Sequence, residues 1–201
     1  MLERPLLSLL LMCLLLAGCA SRSGITFQNA EGFHRMPEGS VAILSVRAPH
    51  SETQKSYKFL WGAPHPSEPR RAFAEILAHV AREEGNLDVL PPTEVRRRLE
   101  SEGIEPRLAG DLATAERLAR SLGCSSYLTA RVRCWRSVYI LTSQKAKIDF
   151  QITCRLPGRK QPLWSARVRD QKRSASSHEV AIQTLRNMFT KLRWKTNSGS
   201  E

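Results

Sequence analysis

YLTARVRCWRSVY (Tyr127–Tyr139) and KAKIDFQITCRL (Lys145–Leu156) decide how this chain folds. In both stretches the even-numbered positions are mostly apolar: Leu128, Ala130, Val132, Cys134, Val138 and the following Ile140, then Ala146, Ile148, Phe150, Ile152, Cys154 and Leu156. The odd-numbered positions are polar or amphipathic. A two-residue period is the mark of a strand with one buried face. Thr142-Ser143-Gln144 supplies the turn between them, and Pro157-Gly158 ends the second. Leu163–Asp170 reads as a third strand with Trp164, Ala166 and Val168 inward. The three predict an antiparallel meander.

The flanking segments alternate helix and strand. After the meander, Ser176 and Glu179 have the spacing of a capping box. They open a helix with Ala181, Leu185, Met188, Phe189 and Leu192 on one stripe. Before the meander, the continuous apolar run Val41–Val46 predicts a central buried strand. A long loop, Arg47 to Ser67, contains Pro49, Pro64, Pro66, His50, His65 and Phe59-Leu60-Trp61. Ser67 can cap a helix with Pro69 in its first turn and Phe73, Ile76, Leu77 and Val80 on one face, ending near Gly85. Leu87–Leu90 is a short strand stopped by Pro91-Pro92. Thr93 caps an Arg-rich helix closed by Gly103, and Asp111 caps another ending at Gly123. The predicted order is β-α-β-α-α-β-β-β-α, an α/β sandwich with a mixed sheet and a C-terminal antiparallel meander.

Residues 1–18 read as an export signal. Its apolar run, Leu6 to Ala17, is about 12 residues, whereas a bilayer-crossing helix needs roughly 20. The run ends in Leu16-Ala17-Gly18-Cys19, the pattern of a lipobox. It resembles that of bacterial lipoproteins, which implies cleavage after Gly18 and lipidation of Cys19, with palmitate-type chains. Two or three acyl chains hold a protein stably on a membrane, where one does so only marginally. Ser21 at the second mature position implies, by resemblance to enteric sorting, the periplasmic face of the outer membrane. Residues 19–39 then read as lipidated cysteine and tether, 40–194 as one α/β domain and 195–201 as a polar tail.

The 201-residue chain carries 31 Lys and Arg against 19 Asp and Glu, a net charge of +12. Glu3 and Arg4 in the signal cancel, so the mature protein keeps all of it. For an exported, anchored protein the polyanions at hand are phospholipid headgroups, lipopolysaccharide phosphates and acidic protein surfaces, so no nucleic-acid partner is expected. The mature domain has three cysteines, Cys124, Cys134 and Cys154. Cys134 and Cys154 fall on the inward face of neighbouring strands; a turn centred on Gln144 sets them opposite each other, within reach of a disulfide, and a register shifted by two leaves two buried thiols.

No Walker loop, nucleophile elbow or dinucleotide fingerprint is present, so neither a cofactor nor an enzymatic role is expected. No Cys/His cluster has metal-ligand spacing. His178-Glu179 begins like a zincin helix, but Ile182 stands where the second histidine belongs, and helix capping is the simpler role. His79 reads as a boundary residue of its helix. The candidate partner surface is instead the outward face of the meander: Tyr127, Arg131, Arg133, Trp135 and Tyr139 beside Lys145, Lys147 and Arg155, with Arg167 and Arg169 on the third strand. Basic groups interleaved with aromatics suit an acidic protein or an anionic, sugar-bearing polymer.

Val41–Val46, the helix after it, the strand before Pro91-Pro92, Leu122-Gly123 leading into Tyr127–Val132, and Leu163-Trp164 together resemble the TolB amino-terminal-like superfamily. That group includes the curli-secretion lipoprotein and the lipoprotein activators of penicillin-binding proteins. The resemblance spans roughly residues 40–192. It implies a non-catalytic accessory or assembly component of a cell-envelope complex. Binding of lipopolysaccharide or phospholipid through the basic-aromatic face is the alternative.

Overall fold

A computed structural model describes residues 24–29, 38–48, 69–104, 109, 111–140, 143–173 and 175–197. Cys19, the signal, most of the Arg47–Ser67 loop with its two histidines, the Ser67 cap and the tail after 197 lie outside the described residues.

The strands are β1 (Gly24–Asn29), β2 (Ser40–Arg47), β3 (Asp88–Val89), β4 (Ser126–Ile140), β5 (Ser143–Arg155) and β6 (Trp164–Arg173). The helices are α1 (Pro69–Glu83), α2 (Pro92–Ser101), α3 (Leu112–Ser121) and α4 (Ser177–Asn197). One six-stranded sheet runs in the order β1-β6-β5-β4-β2-β3. β2 is parallel to both β3 and β4, and the meander β4-β5-β6 is antiparallel, so the sheet is mixed as expected.

β2 is buried on both faces because its alternate residues serve two cores. Val41 and Ile43 face α1 and α4, where Phe73, Leu77, Leu185, Met188 and Phe189 are fully buried against Phe150, Ile152 and Trp164. Each such large side chain contributes about 1.5–3 kcal/mol of burial free energy. Ala42 and Leu44 face the smaller core under α2 and α3, built on Val95, Leu99, Ala115, Leu118 and Tyr127. α4 comes close to the chain just past α1 at Gly85: a Cβ added there would stand 3.0 Å from Phe189 Cδ1 and 2.5 Å from the Ala81 carbonyl oxygen.

Helix ends follow the local chemistry. Asp111 caps α3, its Oδ2 accepting from the Thr114 N–H at 3.3 Å. The Ser176–Glu179 capping box is complete: Ser176 Oγ accepts from the Glu179 N–H at 3.1 Å, and Glu179 Oε2 accepts from the Ser176 N–H at 2.7 Å. That backbone hydrogen bond holds the Glu179 carboxyl below its usual range. Thr93 does not cap α2: the cap position is Pro91, without a side-chain bond, and Pro92 occupies the first turn. His79 sits on the exposed side of α1, 3.3 Å from Glu83.

Three further expectations need correction. Residues 24–29, read as tether, form an edge strand paired antiparallel with β6 from Gly24↔Arg169 to Asn29↔Trp164. Ile25 and Phe27 pack on the large core, and that burial is what recruits the segment. The β4–β5 turn is tighter and earlier than expected, since Ile140 already pairs with Ser143. And β4 carries a bulge: Val132 pairs with Phe150, but Cys134 pairs with Asp149, so Arg133 is an extra residue. One inserted residue exchanges the faces of everything beyond it. Cys134 therefore leaves the inward face, and Cys154 lies opposite Leu128, far along the strand from it. No Cys134–Cys154 disulfide forms; Cys124, Cys134 and Cys154 are all free.

Candidate docking face

The two faces of the sheet are covered unequally. α1 and α4 cover one, while α2 and α3 shelter only the β3-β2-β4 side of the other. The rest of that second face is a ladder of cross-strand rows, with neighbouring strands about 4.8 Å apart. One row runs Arg47, Arg131, Gln151, Arg167, Thr26. The next runs Cys134, Asp149, Arg169, Gly24, and beyond it lies Arg136, Lys147, Gln171.

Asp149 is the single acid in these rows and is only 8 % exposed. Its Oδ2 accepts from Arg167 Nη2 at 3.2 Å and Arg169 Nε at 3.4 Å, while Oδ1 is buried with no hydrogen-bond partner among the described residues. Arg133, extruded by the bulge, donates through Nη2 to Gln151 Oε1 at 3.4 Å, and Gln151 donates to Ser165 Oγ at 3.0 Å. One carboxylate thus stands among Arg131, Arg133, Arg136, Lys147, Arg167 and Arg169. The surplus is positive and points outward. Arginine forks at strand spacing are suited to carboxylates or phosphates held in two-point contacts.

The predicted set is split by this geometry. Arg131, Arg133, Arg167 and Arg169 are together on the open face, and Lys147 lies one row beyond them. Lys145 is two residues further, opposite Val138 and Arg173. Arg155 turns to its own hairpin, donating to the Lys160 carbonyl at 2.7 Å. Tyr127 is fully buried beneath α2 and α3, and burial pushes its phenol above the usual range. Trp135, past the bulge, packs into the large core edge-on to Phe73. Tyr139 pairs with Gln144, and its side chain lies outside the described residues. The face is therefore basic and polar, without the expected aromatics Tyr127 and Trp135. Sequence reasoning missed Arg136, Arg47 and the central Asp149. The signal for Arg136 was available: it is the polar interruption in the even-numbered apolar series.

Cys134 is half-buried on this face, and burial raises its thiol above the usual range against the opposing pull of Lys147 and Arg136. Among the described residues there is no cluster of three metal-ligating side chains, and no helix is long and apolar enough to cross a membrane.

No protein-family model and no curated protein sequence matches this chain. Solved structures do. A variant of the PelC dodecamer from Paraburkholderia phytofirmans superposes with a TM-score of 0.58 at 16% identity, covering 85% of this chain and 98% of that one. Lipoprotein GNA1162 from Neisseria meningitidis gives 0.50 at 14% identity, over 81% and 99% of the two chains. The LpoB C-terminal domain from Salmonella enterica gives 0.45 at 14%, over 71% and 88%. At these identities the likeness is one of fold. The α/β sandwich expected from the sequence is the fold of PelC and of a bacterial lipoprotein.

Proposed function

We propose that this chain is a non-catalytic accessory protein of the bacterial envelope, held by acyl chains on Cys19 to the periplasmic face of the outer membrane, which docks an acidic protein partner on the open half of its sheet. The observation that carries this reading is the set of basic rows around Asp149, where Arg131, Arg133, Arg167 and Arg169 stand against one carboxylate on the part of the face that no helix covers among the described residues. The lipobox supports the anchor, and the dodecameric state of PelC supports a fold that works within assemblies.

In-cell crosslinking from a photoreactive residue at Gln151 tests it. A discrete protein adduct is expected, and it should disappear in Arg131→Glu/Arg133→Glu. Arg167 is left intact in that variant because it holds Asp149. Metabolic labelling with an alkyne fatty acid should tag the wild type and not Cys19→Ala. An adduct insensitive to charge reversal contradicts the docking face. Recovery of lipopolysaccharide or phospholipid alone supports the second reading, an envelope polyanion binder, which the arginine-rich rows also favour.

A further inference from the structure

β1 shortens the leash. Cys19 and Gly24 are separated by four residues, a reach of at most about 17 Å when fully extended. Gly24 pairs with Arg169, and β1 is antiparallel to β6. β1 therefore enters the sheet at Gly24 from the end toward which β6 runs out to Arg173. That remaining stretch, Arg169 to Arg173, is about 13 Å long. An anchor on so short a tether, joined where β1 enters, is nearest to the end of the sheet where β6 stops.

The same end projects. β2 last pairs with β4 at Arg131 and β1 begins level with Cys134, yet β4 and β5 continue together to Ile140 and Ser143. Arg136, Lys145, Lys147 and Lys172 lie on this projection. Beside it Arg169 and Lys191 flank Gly24 in a cleft of about 300 Å³, where β1 enters the fold. The nearby acids are already engaged: Asp170 accepts from Thr184 Oγ1 at 2.9 Å, and Glu179 is in the Ser176 cap.

We propose that this end of the sheet, the outer parts of β4, β5 and β6 with their basic side chains, rests on the anionic phospholipid surface to which Cys19 is anchored, so that the domain stands with its strands rising from the membrane. The inference rests on acylation of Cys19. It assigns Lys145, Lys147 and Arg136 to headgroup contact and leaves Arg131, Arg133, Arg167 and Arg169 facing sideways, free for a protein. Basic residues close to an anionic leaflet are attracted to it over about a Debye length.

The test uses the acylated mature protein carrying Cys134→Ser, in vesicles of phosphatidylcholine alone or with one-third phosphatidylglycerol. A water-soluble maleimide reports on Ser143→Cys at the hairpin and, separately, on Lys160→Cys at the opposite end. Labelling at 143 is expected to slow about tenfold when phosphatidylglycerol is present, with 160 unchanged. Arg136→Glu/Lys147→Glu should abolish the difference. Equal rates at 143 in both vesicles, or protection at 160 instead, overturn the orientation and leave the anchor standing. Mass spectrometry showing Cys19 unacylated in cells overturns both.

Discussion

Trp135 meets Phe73 edge-on, their ring centroids 6.1 Å apart and their planes at 88°. The contact joins the outer part of β4 to α1, and Phe73 in turn tilts onto Phe150 at 4.8 Å, so the three rings close the large core at the hairpin end. It exists because Arg133 is an inserted residue that turns the next position inward. Trp135→Ala should therefore behave as a core truncation. We expect a loss of about 2–3 kcal/mol, below the range for a fully buried tryptophan because Trp135 is only partly buried. Urea unfolding measures it. Crosslinking from the sheet face should be unaffected at temperatures where the variant is folded; a stable variant that loses its partner would mean that the ring belongs to the docking surface after all.

Much of this architecture was legible because burial imposes a period. Val41–Val46 has no polar face and became the doubly buried β2; the alternation through 145–156 became β5 with the expected side inward. What escaped were features with too few residues to set a period. Ile25 and Phe27 are two apolar positions in a polar segment, and only the free edge of β6 makes them a strand. The bulge at Arg133 shows in the sequence as one arginine, Arg136, in an apolar series. Tyr127 looks amphipathic in isolation; that α2 and α3 lie over it is a long-range fact. The candidate face was thus half readable: Arg131, Arg167 and Arg169 share a face as the alternation implies, whereas Tyr127 and Trp135 lie in the cores.

Asp149 is held by two guanidinium groups, and it neutralises part of a face that otherwise carries only cations. Asp149→Ala should cost about 1–2 kcal/mol, above the value of an exposed ion pair and below that for breaking a buried one, since Arg167 and Arg169 are about half-exposed and remain solvated. The loss should shrink as sulfate is added, because the anion can take the place of the carboxylate between the two forks. Thermal melts with and without sulfate at fixed ionic strength read this directly. If sulfate protects wild type and variant equally, the carboxylate is not the counter-charge of this face.

The three free thiols differ sharply in environment, which makes them a probe of the register. Burial pushes Cys154 from an ordinary value of about 9 to about 12 and Cys124 to about 11; Cys134, half-buried among Lys147 and Arg136, is raised without being sealed off. The unfolded chain ionises these thiols first as pH rises, so it binds fewer protons than the native state. Stability is then fully present below about pH 9 and falls as pH climbs toward 12. At pH 8.5 iodoacetamide should modify Cys134 before the other two, with Cys124 and Cys154 reacting only through unfolding. Denaturant without reductant should release three titratable thiols from the mature protein acylated at Cys19. Recovery of one thiol and a peptide pair linking Cys134 to Cys154 would show that β4 lacks its bulge and pairs with β5 in a different register.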